Sequence, residues 1–330
     1  MADHKPPYTL SDKMLRLVSS ISSKVSRIDV YGNLSARPHL RRSNRIRSIH
    51  SSLRIEANSL SLGEVRDVID GRRVLGPELE IREVRNAYAA YSRIGEVDPF
   101  SLTDLMSLQG DLEDGIRPDA GRFRAGEEGV FDGDRCIFMA PPARLVPSLM
   151  DDLFSWMRRS REEVHPLIMS AVFHYEFVFI HPFSDGNGRT ARLWHTVLLS
   201  RWSPVFEYLP LESQIEKFQG GYYQAISDCH VDGASDKFIE FMLERIDEMM
   251  DDAVDSASHS DEALSQYVQR LLDVMDFEVP YSSSEILDRL GLKSKETLRK
   301  NYLDPAMSLG LVTMTIPDKP RSRNQRYVRR

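Results

Sequence analysis

The sequence predicts a mainly α fold: a helical bundle carrying one β-hairpin, followed by a small C-terminal unit of helices and strands. Three observations predict it. Apolar residues recur at helical spacing through most of the chain up to about Asp251, as in Leu167, Ile168, Ala171 and Val172, which gathers them on one side of a helix. The exception is Gly129-Val130-Phe131-Asp132-Gly133-Asp134-Arg135-Cys136-Ile137-Phe138-Met139, where Asp-Gly between short β-favouring runs marks a hairpin. Beyond a polar stretch at 251–261, two helical patterns (284–290 and 294–309) lead into two short alternating runs, Leu311 to Ile316 and Arg326-Tyr327-Val328.

Composition narrows the class. A chain of 330 residues is long enough for two or three domains, and 41% hydrophobic with 28% charged residues excludes wholesale disorder. The net charge of -7 gives no global attraction to nucleic acid. Cys136 and Cys229 lie far apart in no metal-like spacing, which suits a reducing compartment and packing roles. Met1 to Leu10 lacks a signal architecture and no apolar run reaches membrane-spanning length, so the expectation is cytoplasmic, without membrane contact. His174-Tyr175-Glu176 carries a zinc-deaminase fragment without its Pro-Cys-x-x-Cys partner, and neither a zincin nor a P-loop motif occurs.

Taken in order, a helical stretch covers about Lys13 to Val25, and Tyr31-Gly32-Asn33 signals a turn. Arg37, Arg41, Arg42, Arg45 and Arg47 form a basic run, either a solvated helix face or a nucleic-acid contact. A helix from about Asn44 to Glu56 aligns Ile49, Leu53 and Glu56. Ser61-Leu62-Gly63-Glu64 has capping-box spacing, so another helix begins near Leu62. Further helices are expected over Glu78 to Tyr91, Ser101 to Leu108 with Ser101 as N-cap, and Pro147 to Arg158 with proline in its first turn. Gln219 to Cys229 presents Tyr222, Tyr223 and Ile226, and Asp236 to Asp251 is the last long helix before the polar linker.

The densest chemistry lies in His181-Pro182-Phe183-Ser184-Asp185-Gly186-Asn187-Gly188-Arg189-Thr190-Ala191-Arg192. The apolar helix from Pro166 to Ile180 ends at His181, because Pro182 disfavours helical geometry in the residue before it. Gly186-Asn187-Gly188 then opens a second helix, whose free N–H groups and dipole make a phosphate seat. Arg189 and Arg192, three apart, share a helix face from which both reach the same polyphosphate. Asp185 is placed to hold magnesium bridging phosphate oxygens. His181 can take a proton from an attacking hydroxyl.

This stretch resembles the signature of the Fic family, His-x-Phe-x-(Asp or Glu)-Gly-Asn-(Gly or Lys)-Arg-x-x-Arg, at every fixed position. The resemblance implies a Fic-fold helical bundle that transfers AMP from ATP to a Ser, Thr or Tyr hydroxyl of a target protein. His181 resembles the base and Asp185 the Mg2+ ligand. Gly186, Asn187 and Gly188 would hold the α-phosphate region, with Arg189 and Arg192 on the outer phosphates. Tyr222 or Tyr223 borders the adenine pocket or simply packs.

Upstream, Ser52 and Glu56 stand in register with the family's inhibitory motif, (Ser or Thr)-x-x-x-Glu-(Gly or Asn), with Ala57 in the last place. In that reading Glu56 pairs with Arg192 and sets a negative charge where phosphates must lie. The hairpin, about Val130 to Met139, resembles the family's flap, whose edge receives the target segment by strand addition. The helix-turn-helix and two strands at the C-terminus resemble a winged helix, in which Lys319, Arg321, Arg323, Arg326, Arg329 and Arg330 offer a basic wing, for DNA, protein docking or dimerisation. The expected divisions are 1–105 with the inhibitory helix at about 44–58, a core at 106–255, and a winged-helix-like unit at 262–330. Self-modification and a homodimer stay open. So do removal of AMP with Glu56 orienting a water, transfer of another phosphate-containing group, and a DNA-binding regulator with a nucleotide-sensing core.

Overall fold

Helices α1 (Asp12–Tyr31) and α2 (Pro38–Ile55) open the structure, a computed structural model that describes residues 5–31, 38–132, 135–258, 266–277, 279–320 and 322–329. The turn expected at Gly32-Asn33, with Arg37, lies outside the described residues. In α1 the buried Met14, Ile21, Val25 and Ile28 recur along one face. The Ser11 hydroxyl accepts from the Met14 N–H at its start, as an N-cap does. The basic run of α2 is spent within the molecule: Arg42 pairs with Asp70, Arg45 meets Glu207 at 2.6 Å, and Arg41 and Arg47 lie over the rings of Tyr208 and Phe277.

Helix α3 (Leu62–Ile69) starts in the expected capping box between Ser61 and Glu64. After it come α4 (Glu78–Ser92) and α5 (Leu102–Leu112), the latter capped by Ser101. Strands β1 (Gly129–Asp132) and β2 (Arg135–Met139) pair antiparallel with a bulge between Val130 and Phe131; the turn residues Gly133 and Asp134 lie outside the described residues. Phe138 stacks on His230 with ring centroids 4.1 Å apart and contacts Phe179, which pins the hairpin to the bundle.

Helices α6 (Val146–Arg159), α7 (Pro166–Ile180) and α8 (Asn187–Trp202) form the centre. Helix α7 is buried on all sides, which accounts for its nearly continuous apolar sequence. Around it lie α9 (Leu211–Lys217), α10 (Gln219–Asp232) and α11 (Asp236–Ser258), the last packed along α1 and tied to it by Lys24, which bonds Asp247 and Asp251. One apolar core runs from Met14 to Val254. The polar stretch from Asp251 is therefore helical as far as Ser258, because Val254 keeps a place on the buried face; residues 259–265 lie outside the described set.

A second apolar cluster holds the C-terminal unit together. It comprises α12 (Gln266–Val274), α13 (Ser283–Leu290), and α14 (Lys295–Thr297) continuing through a π-helical stretch (Leu298–Leu303) into α15 (Asp304–Ser308). The sheet has three strands rather than two: β3 (Pro280–Tyr281) and β4 (Val312–Met314) flank β5 (Tyr327–Arg329). A two-residue strand beginning with proline leaves no alternating pattern to read. Arg326 is bound to Glu285 and the Pro280 carbonyl, and Arg321 and Arg330 lie outside the described residues. The unit docks through buried Arg66 of α3, which donates to Asp276 at 2.8 Å and to the Tyr281 hydroxyl.

Candidate active site

The junction of α7 and α8 builds the site. Helix α7 ends at His181, which adopts the left-handed conformation (φ 51, ψ 59) while its N–H still bonds to the Phe177 carbonyl. That geometry is uncommon for a non-glycine residue, and it turns the chain out of the helix. Burial pushes the His181 imidazole pKa down, against the upward pull of a hydrogen bond with the Val178 backbone. A neutral ring whose N–H is donated to a carbonyl has its other nitrogen free to accept a proton.

Gly186, also left-handed at φ 74, is the N-cap of α8. The N–H groups of Asn187, Gly188 and Arg189 have no acceptor within the helix, as at any helix start, and present an anion seat. The Asn187 side chain closes the turn from within: Oδ1 accepts from the Phe183 N–H at 3.0 Å, and Nδ2 donates to the Phe183 carbonyl at 2.7 Å. Both its polar atoms are thus engaged in holding the loop, and the Asn187 backbone N–H lies at the seat.

The two arginines have separate partners. Buried Arg192 donates from Nη2 to Glu56 Oε1 at 2.7 Å and to the Ser52 carbonyl at 2.9 Å, and from Nε to the Ser52 hydroxyl at 3.1 Å. The Glu56 carboxylate also lies against Gly188, where a Cβ would collide with it. Glu56 therefore occupies the space between the glycine turn and Arg192. Its helix α2 ends in a Schellman arrangement, with Ala57 N–H to Arg54 carbonyl and Asn58 N–H to Leu53 carbonyl, and Ala57 left-handed at φ 66.

Arg189 is ringed by three carboxylates, Glu83 at 3.2 Å, Glu113 at 3.0 Å and Asp185 at 3.2 Å. Glu83 and Glu113 were not legible as site residues. Fully buried Glu113 follows α5 and fills the space a Cβ at Gly186 would need, and burial raises its pKa to about 7. Glu83 also accepts from Asn58 Nδ2 at 2.8 Å, so the end of α2 reaches Arg189 as well as Arg192. Asp185 is half exposed, and its Oδ1 accepts from the Gly186 N–H at 2.6 Å. No cluster of three metal-binding groups exists among the described residues. One open carboxylate beside an anion seat fits magnesium, which takes one or two carboxylates and completes its shell with phosphate and water.

Of the two tyrosines of α10, Tyr222 is 2% exposed and bonds His174 Nε2 at 2.9 Å. Its ring is packed in the core rather than offered to a base, whereas Tyr223 is 48% exposed. His174 in turn meets His195 at 3.4 Å, and burial holds both imidazoles in the neutral form. Tyr91 and Thr196 meet Glu212, completing a buried polar layer beneath Arg192.

Residues 99–199 match the Fic/DOC family, and residues 266–328 match the Filamentation induced by cAMP protein Fic-like, C-terminal domain. A crystal structure of a Fic family protein from Desulfovibrio desulfuricans G20 is 41% identical, with 99% of this chain and 98% of that one covered at a TM-score of 0.73. Protein adenylyltransferase fic-1 of Caenorhabditis elegans is 26% identical over 304 residues, covering 83% of this chain and 54% of the relative. Protein adenylyltransferase Fic of Aedes aegypti is 32% identical over 165 residues, covering 47% and 32%. The chain spans about half or less of the length of these two curated relatives.

Proposed function

The chain belongs to the Fic family, and we propose that it is a protein adenylyltransferase which moves AMP from ATP to a Ser, Thr or Tyr hydroxyl of a target protein and is held back by Glu56. The observation that carries this reading is the position of the Glu56 carboxylate, against Gly188 and 2.7 Å from Arg192 Nη2. An acid there takes the place of an anionic substrate group.

With Glu56 withdrawn, the helix N-terminus at Asn187 to Arg189 and the guanidinium of Arg192 bind the phosphates. Asp185 would hold magnesium, which supplies charge neutralisation on the phosphate oxygens. His181 takes the proton of the target hydroxyl as its oxygen bonds to the α-phosphorus; the bond from that phosphorus to the bridging oxygen breaks, and pyrophosphate leaves. Positioning and charge stabilisation do most of the work in such a transfer. The hairpin edge beside His181 suits an extended target segment, held by backbone hydrogen bonds.

The test is incubation of wild type, Glu56→Gly and Glu56→Gly/His181→Ala with magnesium and ATP labelled at the α-phosphate, reading label on the protein itself and on lysate proteins. Label that grows with Glu56→Gly and disappears with the second change supports the reading. No label in any lane overturns it, and turns attention to other donors and to removal of AMP from modified targets.

A further inference from the structure

Between α5 and the hairpin sits a buried arginine to which the signature assigns nothing. Arg124 is 4% exposed. Its Nε donates to the His181 carbonyl at 2.7 Å and its Nη2 to the Ile180 carbonyl at 3.4 Å, while its backbone N–H bonds the Pro182 carbonyl at 2.9 Å. The same guanidinium donates from Nη1 to the Gly126 carbonyl at 2.7 Å and from Nη2 to the Pro141 carbonyl. Gly126 precedes β1 and Pro141 follows β2, so one side chain grips both feet of the hairpin and the residue proposed as the base.

We propose that Arg124 is a positioning residue that sets the hairpin in register with His181. The inference rests on the transferase reading of the site. A two-stranded hairpin is marginal alone, and among the described residues it is held to the bundle by the Phe138 stack on His230 and contact with Phe179, besides Arg124. The planar guanidinium carries five donors in a rigid fork, which lets it span carbonyls on three segments at once. Its charge also complements the negative end of α7, where the Ile180 and His181 carbonyls lack helical partners. A target strand added to the hairpin edge is delivered to His181 only if these two parts keep their spacing.

Lysine cannot reproduce that fork, so Arg124→Lys and Arg124→Gln are made in the Glu56→Gly protein. Label transferred from α-labelled ATP to lysate proteins is expected to fall about tenfold or more, the scale on which small misplacements act, with ATP affinity held within about twofold and Lys rescuing only part. Backbone amides of Gly129 to Met139 should exchange hydrogen faster while those of α7 and α8 keep their protection. Transfer within about threefold of the parent, unchanged hairpin exchange, or an equal loss of ATP binding would each overturn the assignment. The exchange measurement stands even where the Glu56→Gly parent transfers no AMP, so failure of the transferase reading is told apart from failure of this one.

Discussion

The carboxylate of Glu56 meets Nη2 of Arg192 at 2.7 Å across 136 positions of sequence. Arg192 is buried and Glu56 is 36% exposed by its side chain, so the carboxylate closes the outer side of a site whose inner wall is the guanidinium. Removing it costs little packing and frees the Arg192 guanidinium and the space beside Gly188. Glu56→Gly is expected to raise AMP transfer by on the order of tenfold to a hundredfold, the scale of one well-placed electrostatic contact. Quantitative label transfer checks it; an unchanged or lower rate would remove Glu56 from an inhibitory role.

Ala57 is left-handed at φ 66, the conformation that ends α2. A Cβ in that region costs roughly 1–2 kcal/mol, which glycine avoids. Ala57→Gly is therefore expected to stabilise the protein by about 1 kcal/mol and raise the melting temperature by about 1–2 °C. Glycine also loses more backbone entropy on folding, which offsets part of the gain. A lower melting temperature would show that this offset dominates.

Much of this arrangement was legible because its residues are local. His181 at a helix end, the Gly186 turn, the Ser61 and Ser101 caps and the hairpin all follow from short-range spacing, and Ser52 and Glu56 were in register with a known motif. What the sequence concealed is contact between distant residues. Nothing local marks Glu83 or Glu113 as partners of Arg189, or Arg124 as a bridge, because buried charges are chosen by the space around them. Tyr222 and Tyr223 are adjacent and alike in sequence, yet a rotation of one helix residue places one in the core and the other on the surface.

Glu83 links the end of α2 to Arg189 through Asn58. Arg189 has three carboxylates about it, more negative charge than one guanidinium balances, and in the proposed transferase these would compete with phosphate. Glu83→Gln keeps the shape and removes one charge; its single amide oxygen can still accept from Arg189, while the bond from Asn58 Nδ2 is given up. In the Glu56→Gly protein it is expected to tighten ATP binding by a few-fold, roughly 1 kcal/mol. Calorimetry decides; weaker binding would mean that Glu83 serves chiefly to orient Arg189.

His181 is held below the ordinary imidazole pKa by burial. It is therefore neutral at pH 7 and keeps its proton-accepting nitrogen down into mildly acidic solution. Transfer by the Glu56→Gly protein is expected to be flat above about pH 6.5, the unperturbed imidazole value, and to fall as pH drops through the lower pKa of the folded protein. A pH–rate profile of kcat whose acid limb lies above that value would contradict the role given to His181.

Glu176 lies on α7, 9% exposed, and burial raises its pKa to about 7 from 4.5. The folded state thus keeps this proton over a range in which the unfolded chain has released it. Its presence favours folding most below the unfolded value, and that advantage is lost as pH rises through the folded one, between about 4.5 and about 7. Glu176→Gln removes the need to ionise a buried carboxyl and preserves its volume. The variant is expected to melt near the parent at pH 4.5 and above it at pH 8, by about 3 kcal/mol at most. Denaturant unfolding at the two pH values measures the difference. An equal stability change at both would show that Glu176 contributes through a fixed hydrogen bond, independent of its charge, and a loss confined to pH 8 would mean that its ionised form is stabilised within the helix bundle.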